Sequence, residues 1–377
     1  MGQSEPALAR PLAITACGVL SSIGIGFEAF TAALQAGHSG QQSVADLFSE
    51  ELPSAQACTI PDFKVSTFLG TKGTSFFDRS TALVVVACGL ALQHSDLVIT
   101  DQNRDRIGIA VGTSTGSIKS ISDYSRESLV QDRPYLVNPV LFPNTVMNCA
   151  AGQAAIWYGL KGVNATVSGG QLSSLQALRY ATMIVRQGYA DVLLVGGVEE
   201  FSPHTAWGFH HAGVLKDTDT LVGEGCAVFA VEDAMAVQAS GRTALAEILA
   251  CEVGVHPEAD ADRSLSEELA RCIRRALDRS GVTPDQVWAV SKNLTGHPVL
   301  DRVEEEGLQL GLGHQPVHQL SIKRAVGECY SAAGALQLAA LLALYATTPG
   351  SGGRIALVTS VGHDGAVGCA VIKEGQT

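Results

Sequence analysis

Thr166-Val167-Ser168-Gly169-Gly170-Gln171-Leu172-Ser173-Ser174 changes character in its middle. A short β-branched strand runs into two glycines, and a helix of apolar periodicity follows. Such an elbow lifts one side chain above a sheet and sets it beside a helix N-terminus. A cysteine there would ionise readily and act as a nucleophile. The residue at the apex is Gln171. Its carboxamide can only donate and accept hydrogen bonds.

Outward from the elbow, apolar runs alternate with amphipathic ones. Residues 12–15, 106–111, 165–168, 192–195, 226–231 and 355–359 read as strands, being rich in Val and Ile and bounded by Gly, Ser or Asp. Helices are expected over 27–36, 79–94, 172–187, 264–280, 302–310 and 332–346. This alternation predicts an α/β protein with buried sheets. A polar, glycine-containing stretch at 233–242 divides the chain into 1–240 and 241–377. Each part has an early strand, a long central helix and a terminal strand pair, which suggests a duplicated fold.

Bulk properties narrow the function. The 377 residues are 46% hydrophobic and carry a net charge of −12, with 25 scattered basic residues. Nucleic-acid binding, which needs clustered Lys and Arg, is excluded as an expectation. Nine cysteines stand singly with no C-x-x-C pair, as expected for reduced thiols packed in a core. No charged-then-apolar leader opens the sequence. The apolar stretches 82–92 and 332–346 are too short or too interrupted to span a bilayer, and the second reads as a buried helix. A cytoplasmic protein without membrane contact is expected. His314 and His318 have helical spacing, but Pro316 breaks the helix that would align them, so no metal site is expected.

Four further segments extend the pattern around the elbow: residues 12–37, the stretch LFPNTVMNCAAGQAAIWYGLKG at 141–162, GYADVLLVGGVE at 188–199, and GEGCAVFAVED at 223–233. Together they resemble the β-ketoacyl synthases of the thiolase superfamily from end to end. The resemblance implies a five-layered α-β-α-β-α duplicated fold with two mixed sheets. It also implies a Cys-His-His site. Counting back from Gly196-Gly197, the cysteine position falls on Gln171. The family's H-G-T-x-T-x-x-x-D-x-x-E motif is matched by Asn293 to Asp301 with Glu304 in register, so its histidine position is Asn293. The K-x-x-x-G-H-x-x-x-A-A-G motif keeps Lys323 but places Glu328 where the second histidine belongs.

Claisen condensation needs a thiolate and donors that stabilise a carbanion equivalent. Gln171, Asn293 and Glu328 supply no nucleophile, and Glu328 would place a negative charge where an anion must develop; Lys323 is expected to neutralise it as a structural pair. At the family's C-terminal gate, His363 stands where Phe is usual, and His363 and Asp364 read as a turn. Cys149 lies off the elbow and reads as packing. Ser168, Ser173 and Ser174 flank Gln171 but have no histidine base in the matching motifs. His297 lies four residues beyond Asn293, and register places it elsewhere in the loop.

A group similar to this chain is the chain-length factor, the β subunit of type II polyketide synthases, whose members carry Gln at the cysteine position. That resemblance implies a heterodimer with a catalytic ketosynthase holding Cys-His-His, and an acyl tunnel along the interface. It implies no cofactor. The growing chain would be a phosphopantetheine thioester on an acyl carrier protein, docked mainly on the partner because this chain is acidic. Tunnel-lining positions carry over to Ile118, Ile121 and Ser125, spaced on one helix face after Val111-Gly112-Thr113. Their modest size predicts a deep tunnel. The LFPNTVMN segment and the fairly short chain lean towards a reducing, polyene-type system. The competing expectation is a glutamine-variant decarboxylase that primes chains from malonyl carrier protein, an activity that retains both histidines.

Overall fold

The computed structural model describes residues 10–216, 218–256, 264–314, 316–350 and 352–376. The opening residues 1–9, where the sequence shows no leader pattern, lie outside them. Ten strands of three residues or more form the sheet among the described residues. They are β1 (Leu12–Ser21), β2 (Ile107–Gly112), β3 (Asn164–Val167), β4 (Val192–Glu199), β5 (Gly225–Asp233), β6 (Ala246–Val255), β7 (Val287–Ser291), β8 (His318–Leu320), β9 (Ile355–Val361) and β10 (Ala366–Glu374). The helices that matter here are α1 (Arg79–Gln93), α2 (Ile118–Val130), α3 (Cys149–Tyr158), α4 (Ser173–Arg186), α5 (Leu265–Ser280), α6 (Pro298–Leu312) and α7 (Ala333–Thr347).

Strand order makes a repeat visible that sequence identity does not. The first five strands run β3-β2-β4-β5-β1, and the next five run β8-β7-β9-β10-β6. The polarities repeat too. β1 pairs antiparallel with β5, β5 antiparallel with β4, and β4, β2 and β3 are parallel. The second set copies this strand for strand. The two mixed sheets meet edge to edge, where β1 and β6 pair antiparallel through Leu12–Ile248, Ala13–Glu247 and Ile14–Ala246.

Layering follows from which faces are apolar. Helices α1 and α3 cover the outside of the first sheet, and α5 and α6 the outside of the second. α4 and α7 lie between the sheets and touch both. This is the five-layered α-β-α-β-α arrangement. α7 has almost no polar side and is buried nearly all round, as a central-layer helix must be. The apolar stretch 330–347 that contains it is long enough to cross a membrane by composition, yet 78% of that window is buried inside the protein. All nine cysteines are buried and free, in line with their reading as core residues.

Strands β1, β4, β5 and β9 run longer than the sequence suggested, whereas β2 and β3 keep the expected length. β1 runs on through Ala16, Cys17 and Gly18 under α1. β6, β7, β8 and β10 were not among the strands read from the sequence. β6 breaks the apolar run with Glu252, which is buried but is bonded by Arg275 and Arg279 from α5. One glycine bears directly on the elbow. A Cβ on Gly112 would come 2.5 Å from the Ser173 carbonyl carbon, so its absence lets the start of α4 sit against the end of β2.

Candidate functional site

The elbow turns as the sequence predicts. β3 ends at Val167, Gly170 takes φ +56°, and residues Gly170–Leu172 make a single 3-10 turn that leads into α4. Ser173 holds the turn closed. Its hydroxyl accepts from the Gly169 N–H at 3.0 Å and lies 2.7 Å from the Gly170 carbonyl and 3.1 Å from that of Thr113. Ser174 donates to the Ser331 carbonyl. Both hydroxyls that flank Gln171 on the helix side are thus engaged with backbone.

Gln171 is fully buried. Its Nε2 donates to Glu328 Oε2 at 3.2 Å, while its Oε1 has no protein partner. Glu328 is fully buried as well. Its Oε1 accepts from Lys323 Nζ at 2.6 Å and from the Tyr330 N–H at 2.7 Å. The Lys323–Glu328 pair expected from the sequence therefore exists, and it reaches across to the elbow. Neither ion has solvent to fall back on, so each depends on the other.

Asn293 lies in the loop after β7. Its N–H and that of Leu294 donate to the two oxygens of Glu304, each at 2.9 Å, and Thr359 donates to the same carboxylate at 2.6 Å. The Asn293 side chain reaches only the Val361 carbonyl, at 3.4 Å, and its Oδ1 is unpartnered. Two non-glycine residues take positive φ among the described residues, Leu294 at +31° and Tyr330 at +39°. One follows Asn293 directly and the other lies two residues past Glu328. Backbone strain at non-glycine residues, among those described, thus falls beside Asn293 and Glu328.

His363 and Asp364 form the turn between β9 and β10, with Asp364 accepting from the Ala366 N–H at 3.2 Å. His297, which register had placed elsewhere, packs edge-on against His363 with ring centroids 5.4 Å apart. Partial burial and then the neighbouring His297 lower the His363 pKa. The loop after Asn293 folds back towards the gate, which a count of residues along one motif does not reveal. Cys149 is buried, accepts from Thr81 at 3.6 Å and has its pKa raised by burial, so it stays a thiol.

Ile118, Ile121 and Ser125 lie on α2, as expected, but no residue of that helix is buried. Ile118 and Ile121 are half-buried and Ser125 is exposed. The sequence reading missed the two carboxyls that end β4 and begin the next turn. Glu199 accepts from Ser114 at 2.8 Å and from Ser331 Oγ at 2.6 Å. Glu200 accepts from Ser80 and Ser117, each at 3.1 Å. Burial raises both from an ordinary 4.5 to about 7, with the Glu328 charge adding to the effect at Glu199 and Asp78 at Glu200. Two consecutive acids ending an apolar strand, Gly196-Gly197-Val198-Glu199-Glu200, were the available signal.

The arrangement can order a carboxamide, a carboxylate and an ammonium in a dry interior. It offers no thiolate, and no imidazole stands at either matching position.

The description "Beta-ketoacyl synthase, N-terminal domain" matches residues 9–245, and "Beta-ketoacyl synthase, C-terminal domain" matches 245–348. The chain is 27% identical over 351 residues to 3-oxoacyl-[acyl-carrier-protein] synthase 2 of Vibrio cholerae, covering 87% of this chain and 84% of that protein. Among solved structures, a chain of the ishigamide ketosynthase/chain length factor superposes with a TM-score of 0.84 at 37% identity, over 97% of this chain and 99% of that one. A type II polyketide synthase ketosynthase, solved with its acyl-carrier protein, gives a TM-score of 0.82 at 20% identity, over 97% of this chain and 99% of that one. This second likeness speaks to fold alone.

Two outcomes test the site. Lys323→Met leaves Glu328 charged and unpaired in the core and is expected to cost about 3–5 kcal/mol in urea denaturation. Adding Glu328→Gln to it is expected to recover most of that loss. Glu199 holds its proton in the folded state up to about pH 7 but only to 4.5 when unfolded. Folding therefore takes up a proton between these values, and stability falls as pH rises across that window. Glu199→Gln should flatten this slope, on the order of 3 kcal/mol across the window, in thermal unfolding followed from pH 4.5 to 8.

Proposed function

The chain belongs to the β-ketoacyl synthase family, and we propose that it serves there as a chain-length factor. In this reading it is a non-catalytic subunit that pairs with an active ketosynthase and shapes the acyl tunnel at the heterodimer interface. The observation that carries the reading is the buried Gln171–Glu328–Lys323 network. It occupies the positions of the family's nucleophile and second histidine with well-formed ionic hydrogen bonds, inside an otherwise complete fold. A decayed enzyme would be expected to leave holes or unpaired charge there. Instead a carboxylate has been installed and neutralised, at the place where condensation would develop negative charge.

The 37% identity to a chain of a ketosynthase/chain length factor supports the same assignment. So does the surface around α2. Leu129, Val130, Tyr135, Leu136 and Phe142 are large, apolar and exposed. Together with the unburied face of α2 they make a patch that a monomer has no reason to keep. A partner subunit that covers this patch would bury Ile118, Ile121 and Ser125 at its wall. We place the acyl chain there, delivered as a phosphopantetheine thioester by an acyl carrier protein that docks mainly on the partner. No cofactor of the chain's own is part of this proposal. We further propose a reducing, polyene-type system, on the strength of the LFPNTVMN segment and the chain's length.

Co-expression with a ketosynthase bearing Cys-His-His is expected to give a 1:1 complex that condenses acyl units, while this chain alone neither condenses nor decarboxylates malonyl carrier protein. Release of CO₂ by the chain alone would instead support the priming decarboxylase and end the present reading. Within the reconstituted pair, Ile118→Phe and Ser125→Phe are expected to shorten the product by one or more extension units in mass spectrometry. An unchanged product length removes those side chains from the tunnel wall.

A further inference from the structure

A second surface lies on the far side of the elbow helix. A groove of about 710 Å³ runs between the outer face of α4, the end of β3, strand β6 and α5. Arg179 and Arg186 from α4 and Arg279 from α5 line it, with Glu252 from β6 as the one acid. Glu252 is already bonded by both Arg275 and Arg279. Arg186 donates to the backbone carbonyls of Leu249 and Arg10. No carboxylate ion-pairs with Arg179 or Arg186 among the described residues. In a chain of net charge −12, the groove is a local excess of positive charge.

The groove adjoins a surface built to be covered. β3 is the outer edge of the first sheet, so one row of its backbone groups is unpaired. α3 and α4 pack against β3 and leave Ile156 76% and Met183 46% exposed. An open strand edge flanked by apolar side chains pairs readily with another sheet edge. The basic groove then decides which sheet edge. In a two-fold homodimer the same patch serves both subunits, so two copies of the guanidinium cluster would border one seam. A homologous subunit that presents carboxylates there would offset the groove's excess positive charge instead.

We infer that the Arg179–Arg186–Arg279 groove is the element that selects a heterologous, acidic-faced ketosynthase and rejects a second copy of this chain. The inference rests on the heterodimer reading above and names the determinant of its pairing.

Arg179 is exposed, and no carboxylate among the described residues ion-pairs with it, so it is the residue to change. Binding to the Cys-bearing ketosynthase is measured by titration calorimetry for the wild type, Arg179→Glu, Arg179→Ala and Arg179→Lys, with circular dichroism on each. Arg179→Glu is expected to weaken the complex by about tenfold or more and Arg179→Ala by less, with Arg179→Lys within about twofold of wild type. Added salt is expected to weaken the wild-type complex and to have less effect on Arg179→Ala. Equal affinity for folded Arg179→Glu and Arg179→Ala overturns the groove's role and leaves the chain-length-factor reading standing. A wild-type chain that forms no complex with the ketosynthase, or that forms a stable homodimer by light scattering, removes both.

Discussion

One negative charge organises the centre of this protein. Glu328 is placed in a fully buried position where the fold offers no solvent, and the structure around it is arranged to make that tolerable. Lys323 supplies the counter-charge, the Tyr330 N–H a charge-assisted hydrogen bond, and Gln171 a third donor to the other oxygen. Burying an ion costs several kcal/mol even after relaxation, and only near-complete satisfaction of its hydrogen-bonding capacity offsets that. The positive φ of Tyr330 belongs to the same account, because it lets the chain turn its N–H back onto the Glu328 carboxylate. A short polar side chain would relieve all of these demands at once, so the carboxylate is maintained at a cost.

The other matching position follows a different logic. Asn293 contributes mainly its backbone, clamped by Glu304, and its side chain is only weakly engaged. The loop it belongs to keeps the geometry of a site while the side chain does little chemistry. The second position is thus held by side-chain charge, and the first by its backbone.

Much of this was legible in the sequence, and the reasons are physical. Gln171 and Glu328 stand in short motifs whose spacing survives, and Lys323 lies five residues from its partner, so the ion pair could be read from local distance alone. The contact between Gln171 and Glu328 spans 157 residues and could not. The contact of His297 with His363 was not legible, because counting along one loop says nothing about the path of the turn that it meets. β6 was overlooked because Glu252 breaks its apolar run, and the arginines that let a carboxylate sit in this strand come from α5, 23 and 27 residues further on. Ser125 was rightly placed on a helix face, but that face is bare in a single chain, and burial against a partner leaves no periodic signature of its own.

The two sheets share only a three-residue seam between β1 and β6, whereas the pairs inside each sheet run longer. By backbone hydrogen bonds alone the halves would be loosely joined and free to unfold one after the other. What ties them is the central layer, where the elbow of the first half meets the turn carrying Glu328 from the second. If either half opens, the carboxylate loses a donor in a dry interior, so partial unfolding carries an electrostatic penalty that full unfolding escapes by hydrating the charge. The buried Gln171–Glu328–Lys323 network thereby acts as a cooperativity device, coupling two duplicated halves into one unfolding unit.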